Sequence, residues 1–250
     1  MTCNLLVLGG TTEGTGLGRA LAEAGLNGTI SMAGRVANPA AQALPLRIGG
    51  FGGVEGLAHY LAEARITHVI DATHPFAAQM SANAVAACAR AEVPLIALTR
   101  APWQAEEGDR WIHVPDIAGA VQALTGPHQR VMLAVGRMHL ADFAYQPQHH
   151  YLLRLVDPPE ARPLPDCTVV VDRGPFALDG DIALMQQHGI ELVVSKNSGG
   201  AGAYAKIEAA RRLGLPVLMI DRPQVPPRQE THEIAQVMEW LAHAGTDLGV

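Results

Sequence analysis

The chain has 250 residues, 48% of them hydrophobic and 17% charged, with a formal net charge of −6, which describes a folded globular protein long enough for one large domain or two of moderate size. The acidic balance argues against a general attraction to nucleic acid or to an anionic membrane, and no apolar run reaches the roughly 20 residues of a bilayer span. Cys3, Cys88 and Cys167 are too scattered for a disulfide framework or a zinc knuckle, and Asn4-Leu5-Leu6-Val7-Leu8 follows no basic leader, so a cytoplasmic protein with reduced thiols is expected.

In chain order, Leu5–Leu8, Thr29–Met32, His68–Ile70 and Leu95–Leu98 are short apolar runs suited to buried parallel strands. Between them Leu17, Ala20, Leu21 and Ala24 repeat at helical spacing, as do Val54, Leu57, Ala58 and Leu61. A small-residue helix is expected after His74-Pro75, running to about Arg90. A stretch with prolines and tryptophans, roughly Arg100 to Pro115, interrupts the rhythm. It resumes with strands at Val131–Val135, Tyr151–Val156, Thr168–Val171, Leu192–Ser195 and Val217–Ile220. A helix from about Ala203 to Leu213 and a last one bearing Ile234, Val237, Met238 and Leu241 on one face complete the pattern. No internal repeat is legible in the residues. Strand and helix in alternation imply an α/β fold with parallel sheets covered on both faces. We expect two Rossmann-like lobes with a cleft between them, residues 1–115 binding the cofactor and 116–250 completing the cleft.

The first turn, Leu8-Gly9-Gly10-Thr11-Thr12-Glu13, lies directly between strand and helix, where backbone N–H groups meet a pyrophosphate. Gly14, Gly16 and Gly18 come too late for that role and fall inside the helix. There each costs about 1 kcal/mol relative to alanine, so close helix–strand packing is their expected purpose. Glu13 either complements the helix dipole or hydrogen-bonds a ligand hydroxyl.

At the end of the second strand an NAD-type fold carries Asp or Glu on the ribose hydroxyls. Here the strand ends Ser31-Met32-Ala33-Gly34-Arg35, with no carboxylate. A guanidinium suits a phosphate, so NADP is read over NAD, with Arg35 as the anion ligand and Ser31 assisting; a solvated surface arginine is the plain alternative.

Further along, Arg47-Ile48-Gly49-Gly50-Phe51-Gly52-Gly53 can bring backbone and an aromatic ring, Gly50 and Phe51 above all, to a flat ligand, a tight connection being the plain alternative. Asp71-Ala72-Thr73-His74-Pro75-Phe76 follows another strand at the edge where such sheets bind ligands. Thr73 and His74 are candidates there, His74 being biased away from helix by the proline after it. Lys196-Asn197-Ser198-Gly199-Gly200, ahead of a helix bearing Lys206, makes a second anion-type turn. It lacks the spacing of an NTPase phosphate loop, so ATP is not favoured. Arg100, Arg137, Arg154, Arg173 and Arg222 lie at or near strand ends. Together they would give an acidic protein a basic surface for a polyanion. The histidines show no metal-ligand spacing, so no metal is expected.

Leu8-Gly9-Gly10-Thr11-Thr12-Glu13, Ala33-Gly34-Arg35, Gly49-Gly50-Phe51-Gly52, Asp71–Phe76, Arg173-Gly174-Pro175-Phe176, Lys196–Gly200 and Ile220-Asp221-Arg222-Pro223 occur in that order. The ordered set, spanning nearly the whole chain, resembles the precorrin-6A reductases of cobalamin biosynthesis. The resemblance implies two Rossmann-like domains and NADPH-dependent reduction of a macrocycle double bond, giving precorrin-6B. It implies a small tetrapyrrole substrate whose carboxylates meet Arg100, Arg137, Arg173, Lys206 and Arg222, and cofactor contacts from the glycine turns, Lys196–Gly200 among them. His74 and a bound water are the candidate proton donors. The glycine run Gly14-Thr15-Gly16-Leu17-Gly18 departs from the pattern expected after the Glu. Another NADP-dependent oxidoreductase is a rival reading, although Tyr204-Ala205-Lys206 has the wrong spacing for the short-chain class. A methyltransferase is disfavoured by Arg35, and a non-catalytic nucleotide sensor is the third rival. A monomer or small homo-oligomer is expected.

Overall fold

The computed structural model describes residues 3–34, 41–172, 174 and 176–244. The chain divides into two compact units, Met1–Arg100 with Gln224–Val250, and Ala101–Pro223. The first holds β1 (Asn4–Leu8), α1 (Thr12–Glu23), β2 (Asn27–Met32), β3 (Leu46–Ile48), α2 (Gly53–Glu63), β4 (His68–Asp71), α3 (Ala78–Ala91) and β5 (Leu95–Leu98). The second holds β6 (Trp111–Val114), α4 (Ile117–Ala123), β7 (Arg130–Ala134), β8 (His150–Leu155), β9 (Cys167–Val171), α5 (Leu178–Gln187), β10 (Leu192–Lys196), α6 (Ala205–Arg212) and β11 (Val217–Ile220). The chain then returns to the first unit with β12 (Gln229–Thr231) and α7 (Ile234–Ala244).

Each unit contains one six-stranded sheet, ordered β12-β5-β4-β1-β2-β3 in the first and β6-β11-β10-β7-β8-β9 in the second. The strand pairs are parallel. Both are doubly wound: the strand order reverses between β1 and β4 in one unit and between β7 and β10 in the other. The boundary expected near residue 115 lies instead at Arg100/Ala101, and the segment from Gln224 belongs with the first unit. The reason is pairing at the sheet edges. The strand that follows β5 in sequence, β6, adds to β11, while β12 adds back to β5. The two sheets thus exchange their sixth strands along the chain.

The central strands are buried because both faces are covered, which is why they read as unbroken apolar runs. Leu5 and Val7 pack with Ile30 against Leu17 and Leu21 of α1 and Val237 and Leu241 of α7. Leu6 and Leu8 face the other way, against Leu57 and Leu61 of α2 and Ala84, Ala87 and Cys88 of α3. Burying each such leucine contributes about 1.5–3 kcal/mol. In the second unit Met132, Leu152, Val193 and Met219 pack with Met185 of α5 and Ile207 and Ala210 of α6. Gly18 lies so close to β2 that a Cβ there would stand 2.4 Å from Ile30 Cδ1. The glycines inside α1 therefore serve close packing, as their spacing suggested. Among the described residues no helix is long and apolar enough to cross a membrane.

Candidate functional site

In open parallel sheets the ligand crevice forms where strand order reverses, at the carboxyl ends of the strands. In the first unit this point brings together the turn after β1 and the turn after β4. Thr11 caps α1, its hydroxyl accepting from the Gly14 amide at 3.0 Å and donating to the Ala72 carbonyl at 2.8 Å. One side chain thereby starts the helix and ties the two turns to each other. The Gly9 amide donates to the Ser31 carbonyl at 2.8 Å. Gly10 has φ +121°, with nothing within 4 Å of where a Cβ would stand, so the backbone itself is open to an approaching group. Glu13, in the first helical turn, pairs with Arg100 at 2.6 Å, and Arg100 also donates to the Thr12 hydroxyl at 3.0 Å. Burial pushes the Glu13 carboxyl up, but the hydrogen bonds from Arg100, its own backbone and Thr12, with the guanidinium charge, bring it below its ordinary value. Arg100, expected among the substrate cations, is thus engaged beside the glycine turn.

The turn after β4 is organised by Asp71, the last residue of that strand. One carboxylate oxygen accepts from the Thr73 amide at 3.1 Å and the Thr73 hydroxyl at 2.7 Å. The other accepts from Ser81 at 2.7 Å and from Arg228. Asp71 and Arg228 form a buried ion pair whose charges are compensated by these hydroxyls. Sequence reading passed over this pair because its members stand 157 positions apart; an aspartate closing a fully buried strand is the signal that calls for a cation. The Asp71 charge and burial together raise the Cys88 thiol to about 12, burial being the larger cause, so this cysteine is kept neutral. His74 Nδ1 accepts from the Phe76 amide at 3.1 Å. The neutral ring therefore carries its proton on Nε2, which is its donor nitrogen.

At the carboxyl end of β2, Ser31 is buried and accepts from Arg47 of β3 at 3.2 Å. The Gly49 amide donates to the Met32 carbonyl at 2.9 Å, bringing the glycine-rich Gly49–Gly53 loop alongside. Arg47 also donates to the carbonyls of Gly49 and Gly50 and lies over the Phe51 ring, which in turn meets Tyr60 edge-on. Arg35 and Arg173 lie outside the described residues.

The second unit has its reversal point between β7 and β10. Gly136 follows β7 with φ +81° and opens a short 3-10 turn, Arg137–His139. Arg137 is exposed and donates to the Pro158 carbonyl at 3.0 Å. Lys196 ends β10, and Arg222, two residues past β11, donates from Nε to the Asn197 carbonyl at 2.9 Å. The Asn197 side chain clamps the backbone of Trp103 from both sides, at 2.8 and 3.0 Å, and the Trp103 indole donates to the Gly200 carbonyl at 2.9 Å. Asn197 and Ser198 are buried, so the Asn197 amide organises the turn rather than reaching outward. Lys206, expected to meet substrate carboxylates, is buried instead. Its Nζ donates to the Ala203 carbonyl at 2.6 Å and lies 4.9 Å from the Trp103 ring centre. Burial lowers its pKa to about 8, Asp181 pulling it back up and Arg154 pushing it down. Arg154 pairs with Asp181 and stacks 4.1 Å over Phe176. A cavity of about 610 Å³, lined in part by Trp103, Leu178, Gly200 and Tyr204, lies beside this turn. Among the described residues no group of three or more His, Cys, Asp or Glu could hold a metal ion.

The first unit's residues fit a dinucleotide: an open positive-φ glycine, a capped helix N-terminus, and a β2 end whose described residues carry no carboxylate. Two doubly wound parallel sheets with such a turn define a Rossmann-type α/β protein. Comparison with known proteins places it further. The chain belongs to the family described as Precorrin-6x reductase CbiJ/CobK, which it matches over residues 4–242. It is 60% identical over 248 residues to a precorrin-6A reductase of Rhodobacter capsulatus, covering 98% of this chain and 99% of that one. It is 42% identical over 239 residues to a precorrin-6A reductase of Rhodococcus erythropolis, covering 95% and 96% of the two chains. With a cobalt-precorrin-6A reductase of Priestia megaterium it shares 30% identity over 201 residues, 76% and 77% of each. A solved structure titled CobK precorrin-6A reductase, 60% identical, superposes with a TM-score of 0.93 over 98% of both chains. The family that the ordered motifs resemble is the family to which the chain belongs.

Proposed function

We propose that this reductase reduces one macrocycle double bond of precorrin-6A to give precorrin-6B in cobalamin biosynthesis, with NADPH as reductant. The observation that carries the reading is the β1 turn of the first unit, with an open Gly10 and a capped helix start, in a chain 60% identical to a precorrin-6A reductase. NADPH, when bound, supplies a hydride to an electrophilic carbon of the conjugated ring.

The chain's own groups supply orientation and charge. Gly10 and the first turn of α1 present backbone N–H groups and the positive helix end to a diphosphate, while the Gly9 amide, spent on the Ser31 carbonyl, fixes the turn. Arg100 compensates Glu13, so that carboxylate does not repel the anion beside it. Ser31 stands at the ribose end, with Arg35 in the following segment. His74 presents Nε2–H at the end of β4 as a proton donor, with water as the other source. Arg137, Arg173 and Arg222 are the cations for the acetate and propionate groups of the macrocycle; Lys206, being buried, is not. The protein works in the cytoplasm.

Stereospecifically deuterated NADPH tests the reaction, with mass spectrometry of the tetrapyrrole as the readout. One deuterium on the macrocycle is expected. His74→Ala is expected to slow turnover at least tenfold while cofactor affinity changes less than about twofold. NADPH that binds without passing deuterium to the tetrapyrrole would leave a nucleotide sensor as the better reading.

A further inference from the structure

Arg47 belongs to β3, a strand of only three residues at the edge of the first sheet. It stands in register with Ser31, so the two side chains leave the sheet on the same face. Its guanidinium donates to Ser31 Oγ at 3.2 Å, to the Gly49 carbonyl at 2.6 Å and to the Gly50 carbonyl at 2.9 Å. Its carbon lies 3.8 Å from the centre of the Phe51 ring and 5.2 Å from that of Tyr60. Every one of these partners is neutral.

Other arginines of this unit are held differently. Arg90 pairs with Glu55, Arg100 with Glu13 and Arg228 with Asp71. Among the described residues, no carboxylate pairs with Arg47. Dipoles and ring faces hold its orientation without cancelling its charge. Three of its five N–H donors are accounted for by these contacts, and two remain to grip an anion.

The place of this cation is as informative as its state. The Gly9 amide bonds the Ser31 carbonyl and the Gly49 amide bonds the Met32 carbonyl, so the β1 turn, the end of β2 and the Gly49 loop lie side by side. In a dinucleotide fold the end of β2 is where the adenosine ribose is read, by a carboxylate when its hydroxyls are free. We infer that Arg47 is the residue that reads a phosphomonoester on the 2′-oxygen of that ribose, making it a determinant of cofactor choice. This rests on the reading that the first unit binds an NADP-type cofactor. It assigns a role to a side chain on a strand that the sequence pattern did not show.

The test is calorimetric binding of 2′,5′-ADP and of 5′-AMP, which differ by the 2′-phosphate alone, to the wild type, Arg47→Ala and Arg47→Lys. The wild type should bind 2′,5′-ADP the more tightly. Arg47→Ala should lose about 10- to 100-fold of that affinity and leave 5′-AMP within about twofold. Arg47→Lys, which keeps a charge but not the planar fork, should fall between. Should the alanine variant not fold, the lysine variant decides by the same comparison, a loss confined to 2′,5′-ADP being expected. Equal losses for both ligands would reduce Arg47 to a support for the Gly49–Gly50 loop, and undiminished discrimination would hand the role to Arg35; either overturns the inference while leaving the cofactor reading standing. A wild type that does not distinguish the two ligands would remove the cofactor reading itself.

Discussion

The two units share one winding and differ in the residues at its reversal point. Two residues beyond the first central strand stands a positive-φ glycine in each, Gly10 after β1 and Gly136 after β7. Two residues beyond the strand that the exchanged edge strand joins stands an arginine in each, Arg100 after β5 and Arg222 after β11. Carrying that alignment through the strand registers sets Ser31 against Arg154 and Asp71 against Ser195. The contents then diverge. Gly10 leads into a twelve-residue helix capped by Thr11, whereas Gly136 leads into a three-residue 3-10 turn carrying Arg137. The first unit therefore offers backbone amides and a helix dipole, and the second offers long cationic side chains. A diphosphate close to the chain suits the former, and carboxylates spread around a macrocycle suit the latter. Winding positions a site, but the residues at the reversal point decide what it takes.

The largest difference that mutation should expose lies at Asp71 and Ser195. Arg228→Ala leaves the buried Asp71 carboxylate without its cation, and about 3–5 kcal/mol of stability should be lost in urea unfolding. Ser195→Ala, at the aligned place, removes a hydroxyl that donates locally to the Lys196 carbonyl at 3.2 Å and should cost less than about 1.5 kcal/mol. Arg228 also precedes β12, so the ion pair fastens the returning segment to β4. Similar losses in the two variants would mean that the pair is not what holds that segment.

A second contrast is the buried lysine. Both lysines of the chain, Lys196 and Lys206, lie in the second unit. With the pKa of Lys206 lowered from 10.5 to about 8 by burial, the unfolded chain holds its proton to higher pH than the folded one. Between these values the unfolded state binds more protons, so this group makes stability rise with pH. The rise should amount to about 3 kcal/mol across the interval. Lys206→Met should remove it and gain stability over the wild type below pH 8, with the advantage shrinking toward pH 10.5. Unfolding free energies measured from pH 7 to 10.5 check it, and an unchanged slope in the variant would place the titration elsewhere.

How far the sequence foretold this comparison depended on burial. The central strands of both sheets were legible because two covered faces demand continuous apolar residues, as in Leu5–Leu8 and Leu192–Val194. The edge strands β3, β6 and β12 were not. Leu46-Arg47-Ile48, Trp111-Ile112-His113-Val114 and Gln229-Glu230-Thr231 are short and mix polar with apolar side chains, and each is defined by a partner strand that no local pattern reveals. The exchange of β6 and β12 was hidden for the same reason, and with it the true division of the chain. At the site, the Gly9-Gly10 turn was legible from its place after a strand. Arg47 stood at the head of the glycine loop, but its strand, which sets it beside Ser31, was not legible, and Lys206 was misplaced because helical spacing does not say how deeply a residue packs.

The finest test of the comparison sets Gly10→Ala against Gly136→Ala. Both glycines hold φ angles that a side chain rarely adopts, +121° and +81°, and neither has a neighbour within 4 Å of where a Cβ would stand. Each substitution therefore adds backbone strain, and the crowding it adds to the empty protein is nil. What differs is the ligand expected to pass over the turn. Gly10→Ala should weaken NADPH binding at least about tenfold, equivalent to about 1.4 kcal/mol, because a methyl group would stand where a diphosphate approaches the amides. Gly136→Ala should leave NADPH affinity within about twofold and raise the KM for the tetrapyrrole instead, by displacing Arg137. Fluorescence titration with NADPH and steady-state kinetics with precorrin-6A separate the two effects. If Gly136→Ala weakened NADPH as much as Gly10→Ala, the division of labour between the units would be wrong, and both turns would have to be counted as cofactor loops.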